Sequence, residues 1–452
     1  MAVRFGVPGT TAPAAQLPDA GVGVALGDEG DEDPPQAATP RTRAGITTLL
    51  NRQHREGLIK PMKLARQLRP AIDYRFSVLM EAPPKVAETP PPRSFALDIV
   101  LVCLGLKVLL LILGAVVAET RLDRPMREVE AIFGLWHQWD SKHYFDLAEN
   151  GYGLPGESTT LVLPPLLSTL IRITSWFTGS LMGGGVLVAT LISFLPGLLL
   201  FHLARHDLGE EDAFRAALVL LLFPTSFFIH IVYTEGLFLT TVLGAFLAAR
   251  RGNWRVVAIF GVLAGLTRIN AFVLAPALLA EAWGPSSKGR WFRVLASLSV
   301  GIGIGVYLAI NQAVAGDPFA FMHVQKDAFF RTFAWPWDGA IEVLKLSSIG
   351  GTNSMLNGVL QLVCIPALLV ACAAAASKQR LSYAIWVIGN TLVFTAQGFW
   401  ISVPRLILVL FPAFIWLAPK VAGPVTSILW FAASTAFLSF LAGQFAQGWW
   451  VS

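Results

Sequence analysis

Charge is scarce in this sequence: Asp, Glu, Lys and Arg together make up only 14% of 452 residues, against 54% hydrophobic ones. That balance excludes an ordinary soluble domain, in which about a quarter of residues are charged. Cysteine is scarcer still. Cys103, Cys364 and Cys372 all fall within apolar runs and lack metal-ligand spacing, which excludes a disulfide framework or zinc cluster and leaves them as packing residues. A Gly-rich phosphate loop, a GxSxG nucleophile and a Cys/His metal cluster are also missing. The N-terminus has no basic start followed by an apolar stretch, so no signal peptide is expected. The net charge of +5 is concentrated beside the apolar runs, and a nucleic-acid partner is not needed to explain it.

Long apolar runs are abundant. A bilayer core of about 30 Å takes about 20 apolar residues per helix, and backbone groups in lipid must be satisfied within the segment. The expected fold is therefore an all-α polytopic membrane protein, a bundle of about 10–12 transmembrane helices. Residues 1–95 read as a separate cytosolic region. Residues 1–40 are rich in Pro, Ala and Gly and carry the acidic run Asp28 to Asp33, a composition that cannot order itself. Residues 41–75 carry nine Lys/Arg and read either as a basic amphipathic helix on an anionic leaflet or as a solvated tail broken by Pro61 and Pro70.

The membrane domain is expected over 96–452, with spans at about 96–118, 183–205, 214–232, 236–250, 255–267, 270–283, 294–314, 355–375, 382–399, 404–419 and 424–445. A first outer loop, 119–180, contains a re-entrant stretch at 161–176, marked by Pro164-Pro165 and Arg172. The positive-inside rule requires that this stretch not cross, because crossing would scatter the Lys/Arg-rich loops over both sides. With that orientation, Trp139-Asp140, Tyr233-Thr234-Glu235, Thr267 to Asn270, Asp317 to Arg331 and Pro404-Arg405 all face outward, where they could line one cavity.

Each of these has a plain structural reading beside a chemical one. Asp140 begins a helical stretch, 141–149, and reads as its N-cap or as a functional carboxylate; His143 and Tyr144 share its face, and Gly151 suits the helix end. Glu235 lies between apolar runs without a linker, where a carboxylate is costly unless it is paired or used; it reads equally as a cap. Arg268 interrupts a stretch that is apolar from 256 to 280 and reads as a snorkelling residue or, with Asn270 beside it, as an anion binder. Arg405, at the mouth of another span, reads the same way. Gly183 to Gly185 and Gly301/Gly303/Gly305 look like helix-packing glycines.

Taken in order, several motifs carry a resemblance. They are Trp139-Asp140 with His143-Tyr144 and Ala148 to Tyr152; Phe223-Pro224-Thr225-Ser226-Phe227-Phe228 leading to Tyr233-Thr234-Glu235; Gly265-Leu266-Thr267-Arg268; Gly316-Asp317-Pro318-Phe319-Ala320-Phe321 with Gln325; and Pro404-Arg405-Leu406 before Phe411-Pro412. Over residues 96–420 this pattern resembles the PIG-V family of mannosyltransferases. It departs from that family in having Leu161-Val162-Leu163-Pro164-Pro165-Leu166, Gly236, Ile269-Asn270 and Leu406. The resemblance implies a GT-C superfold and a polyprenyl-phosphate sugar donor, with mannose transferred to a lipid or glycan acceptor among membrane lipids. It also implies Asp140 as general base in an inverting transfer, and Arg268 and Arg405 holding the departing phosphate. Glu235 and His143 would orient hydroxyls, Trp139 and Tyr144 would stack on a sugar, and Tyr233, Asn270, Asp317 and Gln325 would complete the substrate site. No cofactor is required, although Mg²⁺ or Mn²⁺ at Asp140 is compatible with the pattern. A bacterial plasma membrane with the site on its outer face is expected. The competing readings are a transporter or flippase, which would concentrate ionisable groups near the bilayer midplane, and an acyltransferase, for which His230 is the candidate base.

Overall fold

A computed structural model of the chain describes residues 93–121, 133–154, 159–283, 289–349, 352–400 and 402–451. The acidic and basic stretches of the N-terminal region lie outside the described residues. Among the described residues, helices account for nearly all regular structure, and the single β-type pairing is an isolated bridge between Phe333 and Gln397.

Among the described residues, five helices are long and apolar enough to cross a membrane: Phe95–Thr120, Leu181–Ala204, Arg290–Ala315, Asn357–Lys378 and Pro424–Ala446. A sixth candidate is a pair, Val403–Val409 and Phe411–Val421, bent by 76°. Shorter apolar helices, Trp254–Gly265, Ile269–Ala282 and Leu381–Thr395, stand beside them. The chain is a multi-pass membrane protein by this measure. In chain order, α1 is Arg93–Arg121, α2 Asp140–Asn150 and α3 Leu166–Thr178. They are followed by α4 (Leu181–Ser193), α5 (Leu195–Ala204), α6 (Glu210–Leu221) and α7 (Phe227–His230). Helix α8 is Thr234–Arg250, α9 Trp254–Gly265, α10 Leu274–Ala282, and α11 and α12 are Arg290–Leu298 and Val300–Ala315. The remainder are α13 (Ala320–Phe329), α14 (Pro336–Ile349), α15 (Thr352–Lys378), α16 (Leu381–Thr395), α17 (Val403–Leu406), α18 (Phe411–Leu417) and α19 (Pro424–Ala446).

Helix α8 is the hub. Between its ends it is apolar apart from Thr240 and Thr241, whose hydroxyls bond back to the helix, and every residue from Thr234 to Ala249 is buried, as expected of a helix surrounded by others. It packs against α5, α9, α10 and α4. The expected span at 214–232 is not one helix. The chain leaves α6 at Leu221, turns through Phe223 to Ser226, and makes only the four-residue α7 before an extended Ile231. Pro224 lacks the N–H that a continuing helix needs and disfavours the helical conformation at Phe223, so the break falls there. At 161–176 the structure has a 3₁₀ turn, Thr160–Val162, and then α3. Its 13 residues reach about 20 Å at 1.5 Å per residue, short of a bilayer core, and it folds back on α4.

Glycines permit two of the closest helix approaches. A Cβ on Gly184 would meet the Ile171 carbonyl of α3, and one on Gly303 would collide with the backbone of α9. Gly301 and Gly305, read from the sequence as packing positions, face open space. All three cysteines are free, and Cys103 is fully buried in the core.

Candidate active site

Segments that are far apart in the chain bring charged side chains together at the N-terminal end of α8. Arg405 Nη1 donates to Asp140 Oδ2 at 2.8 Å, and its Nε lies 3.0 Å from Glu235 Oε1. Arg268 Nη1 donates to the same Glu235 Oε1 at 2.6 Å and to Thr234 Oγ1 at 3.2 Å. Glu235 is fully buried and Arg405 nearly so, whereas the Asp140 side chain remains 27% exposed. One carboxylate is thus enclosed and fixes two guanidiniums, and the other can meet a ligand.

The geometry sets aside the capping readings that the sequence offered. Helix α2 begins at Asp140 itself, its N-cap is Trp139, and no side chain caps it. The Asp140 carboxylate is directed across the bundle to Arg405 instead. Glu235 lies in the first turn of α8 without capping it, and Arg268 stands in extended backbone between α9 and a 3₁₀ turn, Ile269–Val273, with its side chain turned inward onto Glu235. The Arg405 turn is held by Thr225, which donates to the Pro404 carbonyl at 3.0 Å, and by Gln361 on α15, which accepts from Val403 N at 2.8 Å. Arg405 also lies over the rings of Phe228 and Tyr233, with centroids 5.4 and 5.3 Å away.

A third arginine was not singled out from the sequence. Arg331 follows α13, and its charge acts on Asp140. Burial, with the Arg405 and Arg268 charges working against the Asp140 charge, pulls its guanidinium down to about 10. Its Nε is buried without a hydrogen-bond partner. The available signal was its place in the polar stretch from Asp317 to Arg331; the intervening residues say nothing of a return to Asp140. The group therefore holds three guanidiniums and two carboxylates and carries an excess of one positive charge. For Asp140, burial raises the carboxyl, but Arg405, Arg331 and His143 outweigh it and hold it below its ordinary value.

Backbone strain is concentrated at the same place. Among the described residues, three non-glycine residues have left-handed φ: Trp139 (53°), Phe330 (55°) and Ser402 (70°). Trp139 precedes Asp140, Phe330 precedes Arg331, and Ser402 opens the turn bearing Arg405. Such conformations cost about 1–3 kcal/mol each and persist where surrounding structure enforces them, commonly at functional sites.

The remaining sequence candidates divide. Tyr144 stands with the group, its hydroxyl 3.4 Å from Thr234 Oγ1, and Tyr233 donates to the Gln138 carbonyl at 3.0 Å. His143 Nδ1 pairs with Thr159 Oγ1 at 2.9 Å on the edge of the site. Trp139 is exposed and meets Trp450 edge-on. Asn270 is instead buried against α16, donating to Asn390 Oδ1 at 2.8 Å. Asp317 accepts from Phe319 N in a local turn before α13. Gln325 takes part through its backbone: its carbonyl ends α13 and accepts from Arg331 N at 3.0 Å. Both carboxylates of the group are already engaged by arginine, and among the described residues no cluster of three or more His, Cys, Asp or Glu is placed to hold a metal.

No protein-family model matches the chain. It is 30% identical over 165 residues to a protein of Rattus norvegicus described as GPI alpha-1,6-mannosyltransferase 2, a stretch covering 33% of this chain and 32% of that protein. Among solved structures, ArnT from Cupriavidus metallidurans, bound to undecaprenyl phosphate, has 17% identity and a TM-score of 0.42, covering 72% of this chain and 62% of that one. The Archaeoglobus fulgidus oligosaccharyltransferase in complex with zinc and sulfate has 14% identity and a TM-score of 0.41, covering 75% and 53%. The chain spans about a third of the length of the curated relative it matches.

Proposed function

We propose that this protein is a membrane glycosyltransferase of the GT-C type. It moves a hexose, mannose by resemblance, from a polyprenyl phosphate to a hydroxyl of a lipid-linked or cell-envelope acceptor at the outer membrane face. The observation that carries the reading is the charge excess: three arginines and two carboxylates gathered from distant segments, with one carboxylate accessible. That group suits a leaving phosphate beside a proton acceptor. The partial match to a GPI mannosyltransferase supports the same reaction class.

In this reading the acceptor oxygen attacks the anomeric carbon as the bond from that carbon to the phosphate oxygen breaks. The acceptor proton passes to Asp140, and the electron pair leaves with the phosphate, which the arginines receive. Arg405 binds Asp140 before the donor arrives, so an arriving phosphate competes for that guanidinium. As Arg405 turns to the phosphate, Asp140 loses its nearest stabilising charge and becomes a stronger base. Donor binding thereby activates the base. Arginine supplies the charge neutralisation, so the mechanism requires no divalent ion.

The test uses the full-length chain in lipid nanodiscs with polyprenyl-phosphate mannose and, separately, polyprenyl-phosphate glucose, and follows release of free polyprenyl phosphate. Release that depends on added acceptor, with mannose preferred, is expected. No turnover of either donor, together with passage of a solute across vesicles containing the protein, would remove the enzyme reading.

A further inference from the structure

A cavity of about 240 Å³ lies behind the first turn of α2. It is walled by α1, α2, α4 and the end of α7, with Leu104, Leu111, Phe145, Val186 and Ala189 among its apolar lining. Asp140 and Ser141 adjoin in the same turn: the Asp140 carboxylate reaches Arg405, and Ser141 lines the cavity.

Three polar side chains there carry atoms that have no hydrogen-bond partner among the described residues. Ser141 Oγ is buried and unbonded, as is His137 Nε2. His230 is only 4% exposed, and both of its ring nitrogens are unbonded. Buried polar atoms ordinarily have partners, and leaving one without is costly, so this set is arranged for something that enters. Lys107 of α1 also faces the cavity. Its Nζ donates to the His230 carbonyl at 2.7 Å, which satisfies the broken end of α7 and leaves further ammonium protons. A Lys about half-way along a membrane-length helix is costly without a function.

The chemistry of the lining selects the ligand. Imidazole and serine hydroxyl both donate and accept, as alcohol hydroxyls do, and lysine only donates. Burial and the Lys142 charge hold His137 below its usual value, so its ring is neutral at pH 7. Among the described residues, no carboxylate lines the cavity to receive a cationic head. A phosphate is better matched by the paired guanidiniums on the far side of Asp140 than by a single ammonium already bonded to a carbonyl. The volume exceeds the roughly 150 Å³ that admits a benzene ring and falls below the roughly 300 Å³ of a drug-sized pocket, which fits one head with the start of one chain.

We propose that this cavity binds the hydroxyl-bearing head and first chain segment of a neutral lipid, and that this lipid is the acceptor. The binding half stands on the cavity alone; the acceptor half rests on the function proposed above. The two substrates then approach Asp140 from opposite sides, with the donor phosphate on the arginines and the acceptor hydroxyl from the Ser141 side.

The test uses the full-length chain in nanodiscs and a monoacylglycerol with a photoreactive diazirine in its tail, with adducts mapped by mass spectrometry. Adducts are expected on 104–111 and 182–190. They should fall at least fivefold in Ala189→Trp, which fills the cavity, and in His230→Phe, which keeps the volume and removes both ring nitrogens. Val186→Phe serves if Ala189→Trp does not fold. Unlabelled monoacylglycerol should compete at least fivefold better than lysophosphatidic acid of the same chain length. Equal labelling in wild type and both variants, or better competition by the anionic lipid, would overturn the binding assignment. If wild-type protein glycosylates another acceptor but never the bound lipid, the acceptor half falls. If no donor is consumed at all, the proposed function falls, while the labelling result still decides the cavity.

Discussion

Helix α8 carries a charged group at each end, and the two groups are built differently. At its N-terminal end are Asp140, Glu235, Arg268, Arg331 and Arg405; at its C-terminal end, about 22 Å further along, are Asp207, Arg250, Glu281 and Arg380. The second group is closed. Arg250 grips Asp207 with two bonds of 2.7 and 3.1 Å, Arg380 grips Glu281 with two of 3.0 and 2.9 Å, and hydroxyls of Tyr383 and Ser382 supplement them. Two cations match two anions, and the bonds join α8, α10, α16 and the turn after α5. The first group is open: its cations outnumber its anions, Glu235 Oε2 and Arg331 Nε are unpartnered, and its flanking backbone is strained. A balanced set of bidentate pairs holds helices together, and an unbalanced set leaves capacity for a ligand. Under the proposed function, the contrast is one between charge that holds the fold and charge that meets a substrate.

The largest expected effect separates the two ends directly. Asp140→Asn should lower the transfer rate by about 10²–10⁴, the usual contribution of a general base, while changing stability by less than about 1 kcal/mol, because Arg405 keeps Glu235. Asp207→Asn should do the reverse, costing about 3 kcal/mol by leaving Arg250 buried without its anion and sparing the turnover of folded molecules. Rate per folded molecule and thermal melting in detergent, measured on both variants, decide the matter. Loss of activity in both, or of stability in both, would erase the distinction.

A smaller effect should come from the unmatched cation. Arg331→Gln removes charge from a crowd of like charge, so stability should hold or rise, while donor KM rises about tenfold, equivalent to about 1.4 kcal/mol. Arg380→Gln instead strands Glu281, whose side chain is nearly buried, and should lower the melting temperature with donor KM unchanged. Titrating donor against both variants exposes the difference; an unchanged KM in Arg331→Gln would remove that arginine from the site.

How much of this contrast the sequence discloses depends on distance along the chain. Apolar runs marked the long helices within a few residues, because lipid imposes length and composition locally: 183–205 corresponds to Leu181–Ala204 and 424–445 to Pro424–Ala446. The interruption at Pro224 was visible in sequence, but the apolar residues around it outweighed it in the reading of 214–232. Glu235, Arg268 and Arg405 were legible because each places a charge in or at the mouth of a hydrophobic segment, whereas Asp140, in a polar loop, was legible only through the motif that carries it. Their mutual bonding was not, since it depends on the bend between α17 and α18 and the break after α9, and neither has a periodic signature. Arg331 was obscured because it lies among polar neighbours, where a charge attracts no notice. Asn270 shows the opposite case: its place beside Arg268 suggested a shared role, and its side-chain amide bonds to Asn390.

The pH dependence should refine the account of Asp140. Its folded value is depressed, so the stabilisation from its charge is present above the unfolded value of about 3.9 and lost as pH falls through the lower folded value. The acid limb of kcat/KM should therefore lie below the ordinary carboxylate range. In Arg331→Gln that limb should move upward, because one of the charges depressing Asp140 is gone; in Arg380→Gln it should stay where it is. A limb unmoved in Arg331→Gln would mean that the two charges do not communicate.

The smallest expected effect concerns strain. Phe330 is exposed, so its side chain contributes little burial, yet it occupies a left-handed conformation that costs an L-residue about 1–2 kcal/mol and glycine almost nothing. Phe330→Gly should raise stability by about 1 kcal/mol, less whatever the unfolded chain gains in freedom, and should loosen the hold on Arg331 that the Gln325 carbonyl provides. Donor KM should rise modestly, by about twofold. Gly252, also left-handed, lies between α8 and α9 at the closed end. Gly252→Ala there should cost about 1 kcal/mol and leave KM alone. Melting curves and donor titrations on the two variants would show whether backbone strain affects function only at the end where charge is unbalanced.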